Sequence, residues 1–408
     1  MGSAPAARPV VVARVHEVAL KGRNRPWFMR VLVKNIAFAL RDRGVSGFKV
    51  RSGRILMSLD DIASWPPVRD CLRSVFGIAN FSLTLESGLS MASIQSTVAA
   101  LLGVDGPPTG SFRVRAKRSD KQYPLTSPEI EREIGAFIRE RTGAPVNLTT
   151  ADRTYQVEIL HERAYVSGET IRGAGGLPVG VSGRVVVLMS GGFDSPVAAY
   201  RMMKRGCELT LVHCHAYPFV RSASIEKVVE LARHLGRYQP GLRLICVPVG
   251  DAQRRIALAT EPEIRVVLYR RLMLRIATAL AEEENAGGLV TGDSLGQVGS
   301  QTLDNLRAVG AVTELPLLRP LIGSDKDEII AEAQRIGTEP ISRVPDDDCC
   351  TVFVPRHPTT HATIAQAEAA ESPLDIPALV ADALARRTSY DGDPAAWDPI
   401  DVLGSLIA

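Results

Sequence analysis

The chain has 408 residues, of which 45% are hydrophobic and 23% are charged, with a formal net charge of +3. This composition is typical of a globular protein and excludes wholesale disorder, and six scattered cysteines do not form a disulfide framework. At about 150 residues per domain, the length predicts two or three domains, each with its own core. No apolar run approaches the ~18–20 residues that span a bilayer, and the N-terminus shows no cleavable signal, so we expect a cytoplasmic protein without membrane contact.

The small net charge hides a gradient along the chain. Residues 1–60 hold 12 Lys or Arg against 3 Asp or Glu, whereas residues 368–408 hold 2 against 8. A basic front end favours an anionic macromolecular partner over a small acidic substrate. A well-solvated charged surface explains the same distribution equally well.

The first two predicted domains, residues 1–75 and 76–172, are α+β units, and a glycine-rich linker follows at 173–183. Apolar residues at helical spacing predict the helices, and apolar runs or alternation predict the strands. The predicted strands lie at 10–15, 48–59, 111–116 and 155–160, and the predicted helices at 26–43 and 127–141.

The third predicted domain, residues 184–361, alternates short buried strands with helices, which predicts a doubly wound parallel sheet. Its predicted strands lie at 185–189, 209–213, 244–249 and 288–291, and its helices at 194–206, 223–236 and 262–284. Residues 362–408 are rich in alanine and acidic, and they predict a short helical pair or a loosely ordered tail.

The strongest motif lies between a predicted buried strand and the following helix, and its sequence is Ser190-Gly191-Gly192-Phe193-Asp194-Ser195. A strand end that opens a helix presents unpaired N–H groups and the positive end of the helix dipole to an anion. The glycines permit close backbone approach, the serines add hydroxyl donors, and Asp194 can organise the loop or a phosphate-bound Mg²⁺. The motif is neither GxGxxG nor GxxxxGK[ST], and it resembles the pyrophosphate-binding PP-loop of ATP pyrophosphatases. An ordinary Gly/Ser turn is the alternative.

Two further segments narrow the family. Residues 291–306 have the sequence TGDSLGQVGSQTLDNL, and residues 17–25 have the sequence EVALKGRNR. Together with GLPVGVSG at 176–183, they resemble the tRNA uridine 4-sulfurtransferases, also called tRNA 4-thiouridine synthetases. The resemblance implies a ferredoxin-like N-terminal domain, a THUMP RNA-binding domain and a PP-loop ATP pyrophosphatase domain, in the order of the three predicted domains.

The resemblance also implies an ATP pocket. Its residues would be Leu188, Met189, Ser190, Gly191, Gly192, Asp194, Ser195, His213, Cys214, Arg270, Gly292, Gln301 and Lys326. Arg270 is chosen over its neighbours Arg271 and Arg275, and Lys326 is equally well explained as a solvated lysine at a helix start. Asp293 stands where relatives usually have Glu, and its role stays open.

Sulfur transfer needs a thiolate, and the segment PDDDCCT at residues 345–351 resembles the catalytic-cysteine segment of the family. The resemblance implies that Cys349 carries a persulfide, although three adjacent carboxylates disfavour a thiolate. Two partly buried structural thiols are the alternative.

Many relatives carry the persulfide on a C-terminal rhodanese domain, which we expect this chain to lack. Another thiol must then resolve the Cys349 persulfide, and our first choice for it is Cys207 and our second is Cys350. We therefore predict Cys349, Asp194 and Cys207 as catalytic residues.

Two basic groups interleaved with aromatic residues suit the phosphates of structured RNA. They consist of Lys21, Arg23 and Arg25, and of Arg113, Arg115, Lys117, Arg118 and Lys121. Either group alone could be a solvated face, but two groups ahead of an ATP site favour RNA binding.

The function that the resemblance implies is that of an ATP-dependent tRNA sulfurtransferase, which adenylates O4 of the uridine at tRNA position eight and replaces it with persulfide sulfur, releasing AMP and pyrophosphate. The expected cofactor is ATP with Mg²⁺. No resident metal or organic cofactor is expected, since the chain has no CxxC pair. The expected partners are tRNA, a cysteine desulfurase that donates sulfur, and a second copy in a homodimer. The alternatives are another PP-loop tRNA-modifying enzyme such as a 2-thiouridylase, a sulfur carrier for thiamine thiazole synthesis, and an RNA-binding scaffold with a decayed nucleotide site.

Overall fold

The structure is a computed structural model that describes residues 8–119, 121–160, 162–345, 357–392, 394 and 397. The chain forms two compact units, Met1–Pro178 and Val179–Ala408. None of the described helices is long and apolar enough to cross a membrane. The limits of the individual domains stay a prediction.

The first unit is built on one eight-stranded sheet. Its strands are β1 (Pro9–Arg14), β2 (Val45–Arg51), β3 (Arg54–Leu59), β4 (Asn80–Ser87), β5 (Phe112–Arg118), β6 (Arg153–Leu160), β7 (Arg163–Ser167) and β8 (Ile171–Arg172). Its helices are α1 (Arg25–Ala39), α2 (Trp65–Leu72), α3 (Met91–Asp105) and α4 (Ser127–Thr142). The strand order is β2-β3-β1-β4-β7-β6-β5 with β8 beside β4, and β5 and β6 are parallel.

The segment predicted as one strand at 48–59 is a hairpin, so that prediction is wrong. β2 and β3 are joined by Ser52 and Gly53, whose φ angles are 46° and 74°. Two positive φ angles in a two-residue loop are typical of the type I′ turn, whose twist matches that of paired strands. The sequence marks this turn by the polar stretch Arg51-Ser52-Gly53-Arg54 with its Ser-Gly pair, which the one-strand prediction overlooked.

Alternation along β5 separates an apolar side from a basic side. Phe112 and Val114 are buried in a core that α3 and α4 supply with Ile94, Ile130 and Ile134. Because successive side chains of a strand point to opposite faces, Arg113 and Lys117 stand on the side away from these helices, whereas Arg115 pairs with Glu131 of α4 at 3.7 Å.

The second unit is built on a six-stranded sheet. Its strands are β9 (Arg184–Leu188), β10 (Glu208–His215), β11 (Arg243–Pro248), β12 (Leu289–Val290), β13 (Leu317–Leu318) and β14 (Thr388–Tyr390). Its helices are α5 (Asp194–Lys204), α6 (Ala223–Leu235), α7 (Gly250–Ala259), α8 (Arg265–Glu283), α9 (Leu303–Gly310), α10 (Lys326–Ile336), α11 (Glu339–Ser342), α12 (Ile364–Glu371) and α13 (Ile376–Ala385).

The strand order of this sheet is β13-β12-β9-β10-β11-β14, and all pairs are parallel except that of β11 with β14. Helices α7, α8, α9, α12 and α13 share one hydrophobic core with β9–β12, while α5 and α6 pack on β10 outside that core. The predicted doubly wound parallel sheet is thereby confirmed. In such a sheet, the carboxyl ends of the parallel strands and the loops that follow them lie together at one end of the sheet, where ligands bind. We call this end of the sheet the strand edge.

The acidic tail contains the predicted helical pair, α12 and α13, and also strand β14, which the sequence did not predict. Ala367, Leu379 and Ala383 of the pair belong to the core of the second unit. Glu371 is 7% exposed and accepts hydrogen bonds from the guanidinium groups of Arg271 and Arg275 on α8 at 2.7–2.9 Å. The pair is therefore an integral part of the second unit rather than a loose end.

Candidate active site

The predicted PP-loop connects the carboxyl end of β9 to the amino end of α5 and closes on itself. Ser195 Oγ donates to the Ser190 carbonyl oxygen at 3.1 Å and accepts from the Ser190 N–H at 2.9 Å. Ser190 Oγ accepts from the Gly192 N–H at 3.4 Å. The closed loop thus lies at the positive end of an 11-residue helix, where an anion is stabilised.

Gly292 follows β12 and packs directly against this loop. A Cβ at residue 292 would lie 2.8 Å from the backbone nitrogen of Ser195 and 2.9 Å from the carbonyl carbon of Asp194. Both distances are shorter than any normal contact, so a larger residue would displace backbone at the start of α5. The approach of the two strand ends therefore depends on glycine.

Asp194 begins α5 and connects three loops of the strand edge. Its carboxylate accepts from Lys326 Nζ at 3.3 Å and from Gln297 Nε2 at 3.0 Å. Lys326 Nζ also lies 5.3 Å from the centroid of the Phe193 ring. The structure therefore brings Lys326, at the first position of α10, to the PP-loop instead of leaving it as an unattached solvated lysine.

Asp293 is buried beside Gly292 and accepts from four side chains. Arg270 Nη2 donates to one carboxylate oxygen, and Thr291 Oγ1 and Arg319 Nε donate to the other at 2.7 and 3.3 Å. Gln301 Nε2 lies 3.4 Å from the carboxylate. Burial raises the pKa of Asp293, but the arginines and the Thr291 hydroxyl outweigh it and hold the pKa below its ordinary value. The group is therefore an anion at neutral pH.

The three arginines of α8 point to two places. Arg270 reaches Asp293 at the strand edge and donates to the Ser300 carbonyl at 2.9 Å. Arg271 and Arg275 are four residues apart, share one helix face and both bind Glu371. Only the predicted choice, Arg270, lies beside the other predicted ATP-binding residues.

The ends of β9 and β10 lie side by side, with Leu188 in register with Val212. The Met189 N–H donates to the Val212 carbonyl at 2.8 Å, and His213 Nδ1 lies 2.9 Å from the Met189 carbonyl. Cys214 points to the opposite face and is buried in the core. The backbone of the predicted nucleoside-binding positions therefore forms one continuous edge beside the PP-loop.

The structure does not bring Cys207 to this edge. Cys207 follows the end of α5 and precedes β10, so the full 11-residue helix separates it from the PP-loop, a distance of about 16 Å at ~1.5 Å per residue. Its side chain is buried, and burial raises the pKa of the thiol. Both features are unfavourable for a resolving thiol in the same site.

Cys349 and Cys350 lie outside the described residues, but the flanking segments are described. Before them, Ser342 Oγ donates to the Gly192 carbonyl of the PP-loop at 3.1 Å. After them, Thr359 and Thr360 accept hydrogen bonds from Asn305 Nδ2 at 2.9 Å and Thr302 Oγ1 at 2.6 Å. Both flanks are therefore tied to loops of the same strand edge.

The predicted RNA-binding residues lie in the first unit, where one residue of each basic group lines a cavity. Arg25 lines a cavity of about 620 Å³ together with Met29, Val50 and Gly53. Arg113 lines a second cavity of about 620 Å³ together with Arg153 and polar residues of β6. Three other members have partners within the unit: Lys21 lies 5.3 Å from the centroid of the Phe28 ring, Arg115 pairs with Glu131 at 3.7 Å, and Arg118 donates to the Tyr123 carbonyl at 3.1 Å. The remaining members, Arg23, Lys117 and Lys121, are exposed.

Sequence reasoning missed three residues of the strand edge: Gln297, Arg319 and Ser342. Gln297 lies inside the segment TGDSLGQVGSQT, which marked it without assigning a role. Arg319 follows the two-residue strand β13, and nothing in its neighbourhood signals a site. Within the described ranges, no group of three or more His, Cys, Asp or Glu side chains could hold a metal ion.

Three family models match successive parts of the chain. They are the ThiI ferredoxin-like domain at residues 10–82, the THUMP domain at residues 90–169 and the thiamine biosynthesis protein (ThiI) at residues 180–376. The order agrees with the predicted one.

Full-length relatives are also found. A probable tRNA sulfurtransferase of Thermus thermophilus is 47% identical over 394 residues, which cover 96% of this chain and 96% of the relative. A second from Moorella thermoacetica is 43% identical over 388 residues, which cover 95% of this chain and 98% of the relative. The crystal structure of a 4-thiouridine synthetase–RNA complex with bound ATP is similar with a TM-score of 0.86 and 34% identity, covering 94% of this chain and 100% of that chain.

Proposed function

Because this chain belongs to the tRNA sulfurtransferase family, we propose that it is an ATP-dependent enzyme that forms 4-thiouridine at position eight of tRNA. The observation that carries the proposal is the closed loop from Ser190 to Ser195 at the start of α5, on which Lys326, Gln297 and Gly292 converge. We further propose that the protein acts in the cytoplasm, where tRNA is its substrate.

In the first step, the strand edge binds ATP. The N-terminus of α5 and the side chains of Lys326 and Arg270 offset the charge of the phosphates. Asp194 supplies the carboxylate that the Mg²⁺ accompanying ATP would meet at the loop. The adenine edge would lie against the backbone at Leu188–Met189 and His213–Cys214, where the Met189 N–H is itself bonded to the Val212 carbonyl.

The second step activates the uridine. The uracil O4 attacks the α-phosphorus of ATP, the bond to the β-phosphate oxygen breaks, and pyrophosphate leaves. The resulting adenylate turns O4 into part of a good leaving group, AMP. The helix N-terminus and Lys326 are positioned before the reaction to stabilise the negative charge that develops on the phosphates.

The third step transfers sulfur from Cys349. The terminal sulfur of its persulfide attacks C4 and AMP leaves, which joins C4 to Cys349 through two sulfur atoms. A second thiolate then attacks the Cys349 sulfur, so that the S–S bond to the substrate breaks and 4-thiouridine and a protein disulfide form. Cys349 follows Ser342 by seven residues, at most about 25 Å of extended chain, so the Ser342–Gly192 contact supports its access to the site. The position of Cys207 does not favour it as the second thiol, which leaves Cys350.

The tRNA would bind through the two basic groups of the first unit, whose exposed cations suit a polyanion. A cysteine desulfurase would load Cys349 with sulfane sulfur, and two copies of the chain would form a homodimer. The similarity to tRNA sulfurtransferases extends over 96% of this chain, which supports this function over a 2-thiouridylase with another domain layout. A role in thiamine synthesis stays a prediction.

The test combines the purified protein with unmodified tRNA, ATP, cysteine and a cysteine desulfurase, followed by nucleoside analysis of the digested tRNA. We expect 4-thiouridine that depends on ATP. Cys349→Ala should abolish 4-thiouridine while retaining tRNA-dependent pyrophosphate release, and Cys207→Ala, the matched control, should retain both. Formation of 2-thiouridine would show the alternative enzyme, and full activity of Cys349→Ala would refute the sulfur step.

A further inference from the structure

Four elements of the second unit converge on the carboxylate of Asp293. The donors are Arg270 from α8, Thr291 from the end of β12, Gln301 from the turn before α9 and Arg319 from the segment after β13. Asp293 itself is 4% exposed. A buried carboxylate is costly unless its oxygens are fully hydrogen-bonded, so these contacts form a mutually dependent set.

Each guanidinium of the set is held at a second point. Arg270 donates to the Ser300 carbonyl at 2.9 Å, and Arg319 donates to the Leu306 carbonyl at 3.3 Å. A planar guanidinium bound on two sides has a fixed orientation. The Arg270 and Arg319 side chains remain 17% and 21% exposed, so each keeps a part that faces solvent.

The charges of the set do not cancel. Two guanidinium groups share one carboxylate, which leaves an excess of one positive charge at the edge that holds the PP-loop. Gln301 is oriented by the same carboxylate through its Nε2, while its Oε1 has no hydrogen-bond partner among the described residues. That oxygen is an acceptor available to a donor of a bound ligand once the side chain is fixed.

We propose that Asp293 is a positioning residue for ATP: it fixes Arg270 and Gln301 in the orientation that binds the nucleotide, and it holds Arg319 as a second cation of the same site. This inference rests on the proposed function in that it takes ATP to be the ligand. It assigns a role to two further residues: Asp293 acts by positioning others, and Arg319 acts as a cation of the site.

The structure supplies a matched control for the buried charge itself. Glu371 is also a buried carboxylate shared by two arginines, Arg271 and Arg275, but it ties α12 to α8 in the core. Loss of its charge disturbs a comparable ion-pair set without touching the strand edge. A purely structural role for Asp293 predicts the same behaviour for Asp293→Asn and Glu371→Gln.

The experiment measures the equilibrium dissociation constant for ATP, the KM for ATP and for tRNA, and the melting temperature of the full-length protein. We expect Asp293→Asn to raise the dissociation constant and KM for ATP by about tenfold or more, as for the loss of a charge-assisted contact, with little change in KM for tRNA. Asp293→Glu should restore most of the affinity, because the carboxylate is kept. Glu371→Gln should lower the melting temperature and leave both ATP constants within about twofold.

If Asp293→Asn lowers the melting temperature as Glu371→Gln does and leaves ATP binding unchanged, the proposal is overturned. If Asp293→Asn does not fold, Arg319→Gln decides, and unchanged ATP affinity of that variant refutes the assignment. The proposed function has its own test: it fails if the wild-type protein binds ATP but forms no 4-thiouridine. In that case the dissociation constants for ATP still test the role of Asp293. Wild-type protein that does not bind ATP refutes both.

Discussion

The two units of the molecule use their basic side chains in different ways. In the second unit, Arg270 and Lys326 are each held by a carboxylate, Asp293 and Asp194, at the edge of the parallel sheet. In the first unit, Arg23, Lys117 and Lys121 are exposed. Paired cations have a fixed orientation before a ligand arrives, which suits one small polyphosphate, whereas exposed cations respond to the overall charge of a large polyanion. Substitutions in the two units should therefore differ in what they change and in how salt affects them.

The largest effect is expected on the free energy of unfolding, for substitution of Glu371, whose ion pairs with Arg271 and Arg275 are buried. Glu371→Gln leaves Arg271 and Arg275 without their anion and should cost about 3–5 kcal/mol of unfolding free energy. Burial raises the pKa of Glu371, but Arg275 and Arg271 outweigh it, so the folded-state pKa lies below the unfolded value. Stability from this carboxylate is present above the unfolded pKa and is lost as pH falls through the folded pKa. Chemical denaturation of the wild type and of Glu371→Gln at pH 7 and at pH 3 measures this loss of stability. A stability difference between the two proteins that is the same at both pH values would contradict the assignment.

The next effect concerns the glycine that lets the strand edge close. Gly292→Ala places a methyl group against the backbone of Ser195 and Asp194 and should lower kcat/KM for ATP by about 100-fold, as expected for a displacement near 1 Å. Gly287→Ala is the matched control, because a Cβ at residue 287 would meet no atom within 4 Å. Steady-state pyrophosphate release measures both variants. Equal activity of the two would show that the contact at residue 292 does not shape the loop.

Substitution of Lys326, the cation that pairs with Asp194 at the PP-loop, tests the role of a paired cation in ATP binding. Lys326→Ala should lower kcat/KM for ATP by about 10- to 100-fold, through loss of one charged contact, without changing KM for tRNA. Lys204→Ala, in the last turn of α5 and away from the loop, serves as the control. The same assay at rising salt should show a modest, similar salt dependence for the variant and the wild type. A changed KM for tRNA in Lys326→Ala would remove the distinction between the two units.

The smallest effect is expected in the first unit. Lys117→Ala should raise the dissociation constant for tRNA a few-fold, and the slope of log affinity against log salt should fall by about one if the lysine contacts one phosphate. Lys34→Ala, an exposed lysine of α1 outside the predicted groups, should leave both quantities unchanged. Filter binding over a salt series measures the slope. Equal slopes for Lys117→Ala and the wild type would exclude this contact.

Local sequence was sufficient for features that depend on neighbouring residues. Strand-then-helix periodicity predicted the parallel sheet, and small residues between Leu188 and Ser195 predicted a loop at a helix start. For the tail, composition left a helical pair and a loosely ordered end as alternatives, and the structure contains the pair. The hairpin of β2 and β3 was missed although the polar stretch Arg51-Ser52-Gly53-Arg54, with its Ser-Gly pair, marks the turn in the sequence.

Tertiary structure decided the contacts between residues far apart in the chain. Arg271 and Glu371 are separated by 100 residues, so nothing local indicates which of the α8 arginines faces the core and which faces the loop. The same holds for Arg319, which reaches Asp293 only because β13 pairs with β12. Cys207 looked suitable in the sequence because it follows the first helix of the unit, but a helix that begins at the strand edge must end at the opposite side of the sheet. The sequence by itself thus determined the sheet and the loop, whereas the pairing of distant strands and helices selected the side chains that meet there.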